Sequence, residues 1–399
     1  MRVLIVTINF PVPSETFACV EVQALKHQGV DVTVRELGFR TTAHQHMLID
    51  YGLEQLAAPS RPLQFVFEGL YAFFSHPILA FQLIQMIARK LIYTPKELLK
   101  SLVLVPRSIE IFQEIRRTQP DVVHFFWGHY PTLVAWLIER YLPTQPWSIA
   151  LNAYDLWMDY PITRAMLPKA GFVRTISQAN AKAIDSQAPK ALNILTIPRG
   201  IDLGIFAKPR ENKIKFSFMS AGRMIPKKHI ADVVSNFAEF HREHPEAKLA
   251  LAGDGDERPS LDQQVKTLHL EKSVRFLGHI SQRQLAEELA RTEVFLFLSE
   301  EEMLPNVVKE AMACGCICIA RRTDGIEELI LHAETGYILD SNHEATNCIR
   351  SLFEQSVEDR YIMATRARER ILHHFNACDS ASQLIDAWEN LKSSWRGAP

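Results

Sequence analysis

The chain has few cysteines, no basic surplus and no long apolar run, and each shortage excludes a class of protein. Six cysteines in 399 residues are too few for a disulfide framework, so we expect a reducing, cytoplasmic location. Lysine and arginine number 44 against 46 aspartates and glutamates, which argues against nucleic-acid binding through phosphates. Because no unbroken run of about 18 apolar residues occurs, no membrane-spanning helix is expected.

What the chain has instead is short apolar runs that alternate with helical patterns. Runs of four to six residues are typical of parallel strands buried on both faces. They occupy residues 3–7, 30–34, 121–125, 148–151, 171–176, 216–221, 249–252, 274–277, 294–298 and 316–320. The alternation predicts an α/β protein with doubly wound sheets. Because the first run begins at residue 3, we interpret the N-terminus as a strand and not as a signal peptide.

The domain organisation follows from a change in composition near the middle of the chain. Prolines, glycines and mixed charges cluster in residues 198–212, between two sets of strand patterns. The sequence therefore predicts an N-terminal domain of residues 1–205 and a C-terminal domain of residues 206–379. A last helix, residues 380–399, is expected to pack back on the first domain. Ligands of doubly wound sheets bind beyond the carboxyl ends of the strands, so the chemistry should lie on loops there.

Residues 61–117 interrupt the strand rhythm with a helical pattern rich in Phe, Leu and Ile. It is dotted with cations, among them Arg89, Lys90, Lys96, Lys100 and Arg107. A cation-rimmed amphipathic pair of helices is typical of peripheral contact with an anionic membrane. The alternative is an enlarged first domain, because amphipathic faces usually meet the core.

The most informative stretch, residues 299–315, reads SEEEMLPNVVKEAMACG. It predicts an acidic loop after a strand, then a helix with Pro305 at its first position that closes at Gly315. Free N–H groups at such a helix start bind phosphate. Glu302 and Glu310, on either side of that start, carry carboxylates that suit vicinal hydroxyls. The pattern fits a nucleotide sugar; the alternative is an acidic cap followed by a solvated glutamate.

A second loop, residues 222–229, also follows a strand and precedes a helix. Arg223 and Lys228 would bring two cations to the same place, where the charge of a departing diphosphate needs neutralising. The alternative is a loop with ordinary surface cations, since charge runs are usually solvated.

These motifs, in this order, resemble those of glycosyltransferase family 4, the retaining nucleotide-sugar transferases of the GT-B fold. Further matching stretches are Pro-x-Gly-Ile-Asp at 198–202, Ala-Gly-Asp-Gly at 252–255 and Phe-Leu-Gly-His at 276–279. The opening Pro-x-Pro-Ser-Glu-Thr-Phe, residues 11–17, is similar to the colanic-acid and exopolysaccharide branch. The resemblance implies two Rossmann-like domains facing across a cleft, the first binding the acceptor and the second the donor.

The resemblance also implies roles for individual residues. Arg223 and Lys228 would grip the diphosphate, Glu302 would hold the sugar, and Glu310 would bind the ribose. Asn152 stands where the family often has His and would contact a sugar hydroxyl. Backbone groups would complete the donor site, through Leu304, Asn306 and Val307 at the phosphates and sugar and through Gly278, His279 and Ile280 at the base.

The implied activity is transfer of a hexose, with glucose as a guess, from a UDP-sugar to a glycan or lipid-linked saccharide in exopolysaccharide synthesis. The anomeric configuration would be retained by a front-face mechanism. No metal would be required, since Asp254 and Asp256 fit a turn and Cys314, Cys316 and Cys318 fit a buried strand. The alternatives are a GT-B-fold sugar-nucleotide epimerase and a nucleotide-sugar-binding partner without catalysis. The second is suggested by Asn152 and by Met303, which replaces a usual Gly.

Overall fold

The computed structural model describes residues 1–12, 15–38, 45–56, 62–152, 155, 160–187, 191–207 and 213–395. It divides the chain into two compact units. The first consists of residues 1–199 and 377–399, and the second of residues 200–376. Each unit has its own sheet and its own hydrophobic core.

The first unit contains a six-stranded parallel sheet in the order β2-β1-β3-β4-β5-β6. Its strands are β1 (Arg2–Thr7), β2 (Asp31–Glu36), β3 (Val122–Phe125), β4 (Trp147–Ala150), β5 (Val173–Thr175) and β6 (Ile194–Thr196). The strand order changes direction beside β1, and this reversal is where doubly wound sheets bind ligands.

Helices pack against this sheet and add further layers to the first unit. They are α1 (Thr16–His27), α2 (Gln45–Asp50), α3 (Pro62–Ser75), α4 (Pro77–Leu91), α5 (Pro95–Val103), α6 (Val105–Thr118), α7 (Thr132–Tyr141), α8 (Pro161–Met166) and α9 (Gln178–Gln187). Helices α3 to α6 are the insertion that interrupts the strand rhythm. All four begin with proline at the first or second position, where its missing N–H costs no helical hydrogen bond.

The second unit repeats the architecture, with a parallel sheet in the order β12-β11-β10-β7-β8-β9. Its strands are β7 (Ser217–Ala221), β8 (Lys248–Ala252), β9 (Val274–Gly278), β10 (Val294–Phe297), β11 (Ile317–Arg321) and β12 (Gly336–Leu339). Its helices are α10 (Leu203–Phe206), α11 (Ile230–Glu243), α12 (Arg258–Thr267), α13 (Gln282–Arg291), α14 (Asn306–Ala313), α15 (Ile326–Leu329), α16 (Ala345–Glu354) and α17 (Val357–His374).

The last helix, α18 (Ala377–Ser394), belongs to the first unit. Its Trp388 is fully buried, and the indole N–H donates to Ser148 Oγ at 3.0 Å. The units divide at residues 199/200 and 376/377, a few residues from the predicted boundaries. The cause is a bridge between Ile201 and Asn376, supported by a hydrogen bond from Ile201 N to Phe375 O at 2.9 Å. Because of this bridge, the residues next to both boundaries, Ile201 and Asn376, belong to the second unit.

The predicted fold class is confirmed, with local differences. Helix α1 begins at Thr16, whereas the helical pattern of the sequence covers residues 21–28 and so predicts a start five residues later. Strands β6 and β12 are additional to those predicted. Among the described residues, no single helix has the length and apolar character to cross a membrane. Residues 66–75 and 77–91 reach this length and apolar character only when the two helices are counted together, and the angle between them is 99°.

Candidate functional site

In the second unit, three loops at the carboxyl ends of neighbouring strands are joined backbone to backbone. Gly222 N donates to Ala252 O at 3.0 Å, and Gly253 N donates to Gly278 O at 2.8 Å. Gly253 has φ +112, and a Cβ atom there would lie 1.9 Å from Gly222 O. Glycine is therefore required at Gly253, because any side chain would push these loops apart.

The predicted cationic residues lie on the first of these loops, after β7. Arg223 is exposed, whereas Lys228 is partly buried. Pro226–Lys228 form a short 3-10 turn, and His229 follows with φ 51, a left-handed conformation that favours glycine. His229 therefore occupies a backbone position that would suit glycine better than a residue with a side chain. The Nδ1 atom of His229 lies 2.9 Å from Asp232 Oδ2.

The acidic loop after β10 lies directly against the cationic loop. Glu300 N and Ser299 Oγ both donate to Lys227 O, at 2.9 and 3.2 Å. The Lys228 ammonium contacts the carboxylate of Glu302. One step away, Lys227 Nζ lies 2.5 Å from Glu301 Oε2. Two neighbouring ion pairs therefore connect the loops that the sequence assigns to one site.

The environment of Lys228 changes its acidity. Burial, and next to it the positive charge of Arg223, lower the pKa of the Lys228 ammonium to about 8. The contact with Glu302 acts in the opposite direction, since an opposite charge favours the ionised form. Lys228 is therefore cationic at neutral pH and begins to lose its proton a little above it.

Helix α14 begins beside this pair. It starts at Asn306 with Pro305 as the preceding cap, one residue later than the sequence predicts. The backbone N–H groups of Asn306, Val307 and Val308 find no acceptor within the described part of the chain. Asn306 and Val307 are partly exposed and Leu304 is buried. These donors and the helix dipole give this end of α14 an affinity for anions.

Glu310 lies inside α14, and its side chain is buried. No hydrogen bond or ion pair of its carboxylate is found among the described residues. Burial raises its pKa to about 7, although the neighbouring Lys309 ammonium favours the ionised form. Burying a carboxylate is costly, and strongly shifted acids are frequent at functional sites.

The segment predicted to meet the base lies at the end of β9. Gly278 has φ +65, and no atom lies within 4 Å of where its Cβ would be. His279 is exposed and Ile280 is half-buried. Ser281 then opens α13 with a capping box to Gln284, which fixes the direction in which the chain leaves the loop.

Of the predicted donor-site residues, the structure joins Lys228 to Glu302 and brings Arg223 close enough to change the acidity of Lys228. No hydrogen bond or ion pair joins Glu310 to any of these three side chains. Met303 is buried, and its φ is not positive, so the backbone at this position does not require the usual Gly.

Asn152 belongs to the first unit, after β4. Its backbone N–H donates to Asp155 Oδ2 at 2.9 Å. Both polar atoms of its side-chain amide are buried and have no hydrogen-bond partner among the described residues. Asn152 stands in the stretch Leu-Asn-Ala-Tyr-Asp, residues 151–155, of which Ala153 and Tyr154 lie outside the described residues. A buried amide without partners is rare, and it marks Asn152 as able to hold a polar ligand.

Sequence reasoning missed Asp155, which organises this region. Its Oδ1 atom accepts from Gly128 N at 2.7 Å and lies 3.0 Å from His129 Nδ1. Asp155 thus joins the loops after β3 and β4. The signal was present, since Asp155 closes the Leu-Asn-Ala-Tyr-Asp stretch. His124, by contrast, is a core residue: burial lowers its pKa to about 3, and its Nδ1 lies 2.9 Å from Ser148 Oγ.

Glu15 was a weaker signal in the loop that precedes α1. Burial raises the pKa of its carboxyl, while Arg199 and His129 act against this rise. Pro13 and Ser14, which belong to the same opening motif, lie outside the described residues. Glu15 is thus a further titratable group in the region of His129 and Asp155.

Known proteins resemble the second unit in sequence and the whole chain in fold. Residues 204–370 match the family model of glycosyl transferases group 1. This stretch makes up most of the second unit, which is therefore similar to the glycosyl transferases of group 1 over residues 204–370. The whole chain has the GT-B fold of these enzymes.

Similar proteins with curated descriptions match only part of the chain. An N-acetyl-alpha-D-glucosaminyl L-malate synthase from Bacillus anthracis is 41% identical over 159 residues, 39% of this chain and 40% of that relative. The GtfA subunit of a UDP-N-acetylglucosamine–peptide N-acetylglucosaminyltransferase from Streptococcus gordonii is 26% identical over 250 residues, 60% of this chain and 48% of that relative. The matched regions thus span less than two thirds of both relatives.

Solved structures match over nearly the full length. HepE from Anabaena, crystallised in complex with UDP-glucose, has a TM-score of 0.71 and 17% identity, and covers 98% of this chain and 100% of its own. A sucrose-phosphate synthase from Thermosynechococcus elongatus has a TM-score of 0.69 and 17% identity, and covers 99% and 100%. At this identity the likeness establishes the fold.

Proposed function

We propose that this protein is a retaining glycosyltransferase that moves a hexose, glucose, from a UDP-sugar to a glycan or lipid-linked saccharide during exopolysaccharide synthesis. The observation that carries the proposal is the contact between Lys228 and Glu302 beside the open N–H groups of α14. It combines a cation, a hydroxyl-binding acid and an anion-binding helix start within a group 1 glycosyltransferase domain. The UDP-glucose bound by HepE supports the choice of donor.

In this proposal each part of the second unit binds one part of the donor. Lys228 and Arg223 neutralise the diphosphate, with the N–H groups of Asn306 and Val307 as additional donors. Glu302 accepts hydrogen bonds from hexose hydroxyls, and the Glu310 carboxylate accepts them from the ribose. The backbone of Gly278, His279 and Ile280, together with Leu304, completes the contacts to the base, sugar and phosphates.

The proposed reaction needs no nucleophile from the protein and no metal. The bond from the anomeric carbon to the diphosphate oxygen breaks, and an acceptor hydroxyl forms the new bond on the same face. The acceptor's proton passes to the leaving diphosphate oxygen. Lys228 and Arg223 stabilise the charge that develops on the diphosphate, and this electrostatic term together with positioning supplies most of the catalysis.

We propose that Asn152, a residue of the first unit, binds a hydroxyl of a sugar. Its amide can donate one hydrogen bond and accept another, and neither polar atom is used within the described chain. Asp155 fixes the backbone on which Asn152 sits. Asn152→Ala should therefore lower turnover without lowering thermal stability, because it breaks no hydrogen bond. Unchanged turnover would exclude this role.

The overall function is tested with a panel of UDP- and GDP-sugars, with and without a lipid-linked saccharide. Release of UDP that the acceptor accelerates supports the transferase. A new sugar nucleotide would identify an epimerase, and tight binding without turnover would identify a binding partner. Two variants connect the result to the site: Glu310→Ala should weaken UDP binding, and Arg223→Ala should slow turnover, both with an unchanged circular dichroism spectrum.

A further inference from the structure

The exposed apolar surface of this protein is concentrated in one place. In the part of the chain that the structure describes, seventeen large hydrophobic side chains are exposed, and eleven of them lie between Val66 and Val103. These eleven are Val66, Phe67, Leu70, Tyr71, Phe74, Ile78, Phe81, Ile92, Tyr93, Leu99 and Val103. We call them the outer helical surface. Concentrations of this kind mark interaction sites, whereas single exposed apolar residues need no explanation.

The positions follow helical periodicity, so they form faces. On α3 the exposed apolar residues recur at 66, 67, 70, 71 and 74, and Ala72 is buried between them. On α4, Ile78 and Phe81 are exposed, while Ala80, Leu83, Ile87 and Leu91 are buried in the core of the first unit. Each helix therefore has two apolar faces, one toward the core and one directed away from it.

Helix α5 adds cations to the same surface. Its exposed residues Lys96, Leu99, Lys100 and Val103 are spaced three and four apart and so share one face. Just before this helix, Ile92 and Tyr93 are exposed next to Arg89 and Lys90. Residues 66–104 contain these four cations and only two acids, Glu68 and Glu97. This stretch therefore carries a net +2, although the whole chain carries −2.

The surface rests on a fixed platform. Gln82 Oε1 on α4 accepts hydrogen bonds from Tyr141 Oη and, at 2.7 Å, from Arg140 Nε on α7. Ser101 Oγ on α5 shares a hydrogen bond of 2.7 Å with Tyr160 Oη. These bonds and the buried residues fix α4 and α5 against the first unit. Their exposed apolar side chains therefore stay on the outer surface.

We propose that the outer helical surface docks onto an anionic lipid bilayer, with its aromatic and aliphatic side chains in the interfacial layer and its cations at the lipid phosphates. Five of its eleven members are Phe or Tyr, residues suited to the boundary between hydrocarbon and headgroups. The cations on the same faces complement anionic headgroups.

The geometry favours lying on the membrane over crossing it. Helix α4 has 15 residues and is about 22 Å long at 1.5 Å per residue, whereas the hydrocarbon core is about 30 Å thick. The 99° bend after α3 prevents the two helices from acting as one span. Two short helices at nearly a right angle can instead lie in one plane.

Flotation with vesicles tests the proposal on the full-length protein. Vesicles of phosphatidylcholine alone are compared with vesicles that also contain phosphatidylglycerol, at low and high salt. The expected result is binding to the anionic vesicles that weakens with salt. Absence of binding to anionic vesicles at low salt would overturn the proposal.

Variants separate the two contributions. Phe67→Ser, Phe74→Ser and Phe81→Ser combined should reduce binding to anionic vesicles by about tenfold or more, since interfacial binding scales with buried apolar area. Lys96→Glu with Lys100→Glu should abolish the preference for anionic lipid. The matched control is Val357→Ser with Tyr361→Ser, because these side chains are also exposed and apolar but lie on α17. The control should bind as the unchanged protein does.

Two readouts keep the proposal distinct from its rivals. If the triple Phe variant converts a dimer to a monomer in light scattering while vesicle binding is unchanged, the surface is a contact between copies of the chain and the proposal is wrong. All variants should release UDP from UDP-glucose in the absence of lipid at the unchanged rate. Failure of membrane docking is therefore separable from failure of the proposed transferase activity.

Discussion

Lys228 contacts Glu302 in a partly buried ion pair, while the adjacent Lys227 pairs with Glu301 at the surface. The two pairs join the same two loops and differ mainly in burial. Side-chain exposure is 18% and 25% in the inner pair and 58% and 41% in the outer pair. The chain thus supplies a matched comparison between a proposed ligand-binding cation and a structural one.

We expect Lys228→Ala to weaken binding of UDP-glucose by about tenfold or more, because a charge-assisted hydrogen bond to phosphate contributes about 1.5–3 kcal/mol. Lys227→Ala should change the affinity little, since an exposed ion pair contributes about 1 kcal/mol or less and faces no ligand in this assignment. Isothermal titration calorimetry measures both affinities. Equal effects of the two variants would contradict the assignment of Lys228 to the diphosphate.

Binding of UDP-glucose should depend on pH in both directions. Affinity should rise as the pH increases through about 7, because the Glu310 carboxyl must lose its proton to accept hydrogen bonds from the ribose. It should fall as the pH increases through about 8, because Lys228 then loses its charge. Lys228→Arg should remove the alkaline decline, since guanidinium stays protonated. Arg223→Ala should move it to higher pH, because one cause of the lowered pKa is gone.

The diphosphate of UDP-glucose carries no proton that titrates in this range, so changes in affinity report on the protein. The affinities can be followed by calorimetry in buffers of matched ionic strength. A profile that is flat between about pH 6 and pH 9 would show that neither Glu310 nor Lys228 is coupled to the donor.

Glu310→Gln should stabilise the fold while weakening nucleotide binding. The pKa of Glu310 is about 7 in the folded protein, whereas its ordinary value, which applies to the unfolded chain, is 4.5. The unfolded chain therefore releases this proton first, and the protein loses stability as the pH rises from about 4.5 to 7. Glutamine carries no such penalty, so the variant should gain about 3 kcal/mol at pH 8 and little at pH 4.

Urea unfolding of both proteins at several pH values measures this gain. A gain that does not grow with pH would indicate that the Glu310 carboxyl ionises freely in the folded state. The combination of higher stability and lower affinity is typical of residues that are kept for function at a cost to the fold.

Gly253→Ala should disrupt the donor site, and the control Gly29→Ala, in the first unit, should not. A Cβ at Gly253 would lie 1.9 Å from Gly222 O, whereas no atom lies within 4 Å of where a Cβ at Gly29 would be. Both glycines have positive φ, so each variant pays about 1 kcal/mol for the backbone conformation. Only the first should lose about 2 kcal/mol or more in addition and bind UDP-glucose poorly. Thermal unfolding and calorimetry separate the two contributions.

The fold was predictable because its strands are continuous apolar runs that stand out from helical patterns. Strand β6 was missed because Ile194–Thr196 has only three residues, all half-buried, and β12 because Gly336–Leu339 is hardly longer. The candidate site was predictable only as a set of residue types. That Lys228 meets Glu302, 74 residues further along, depends on contacts between two loops, and no local pattern encodes them.

In the same way, sequence patterns name Asn152 but not its support. Asp155 is recognisable as important only when its carboxylate is seen to bind the backbone of Gly128 and Asn152. The raised pKa of Glu310 is also invisible in sequence, because it arises from burial within α14.

The position of α18 has a consequence for how the chain is made. Trp388 is buried in the core of the first unit, against a sheet whose strands all precede residue 200. These strands therefore leave the ribosome long before α18 is synthesised. Domains usually fold in the order of their synthesis, but here the second unit can finish first. The cover over Ser148 and its neighbours is therefore completed only after residue 388 has been synthesised, later than every strand of both sheets.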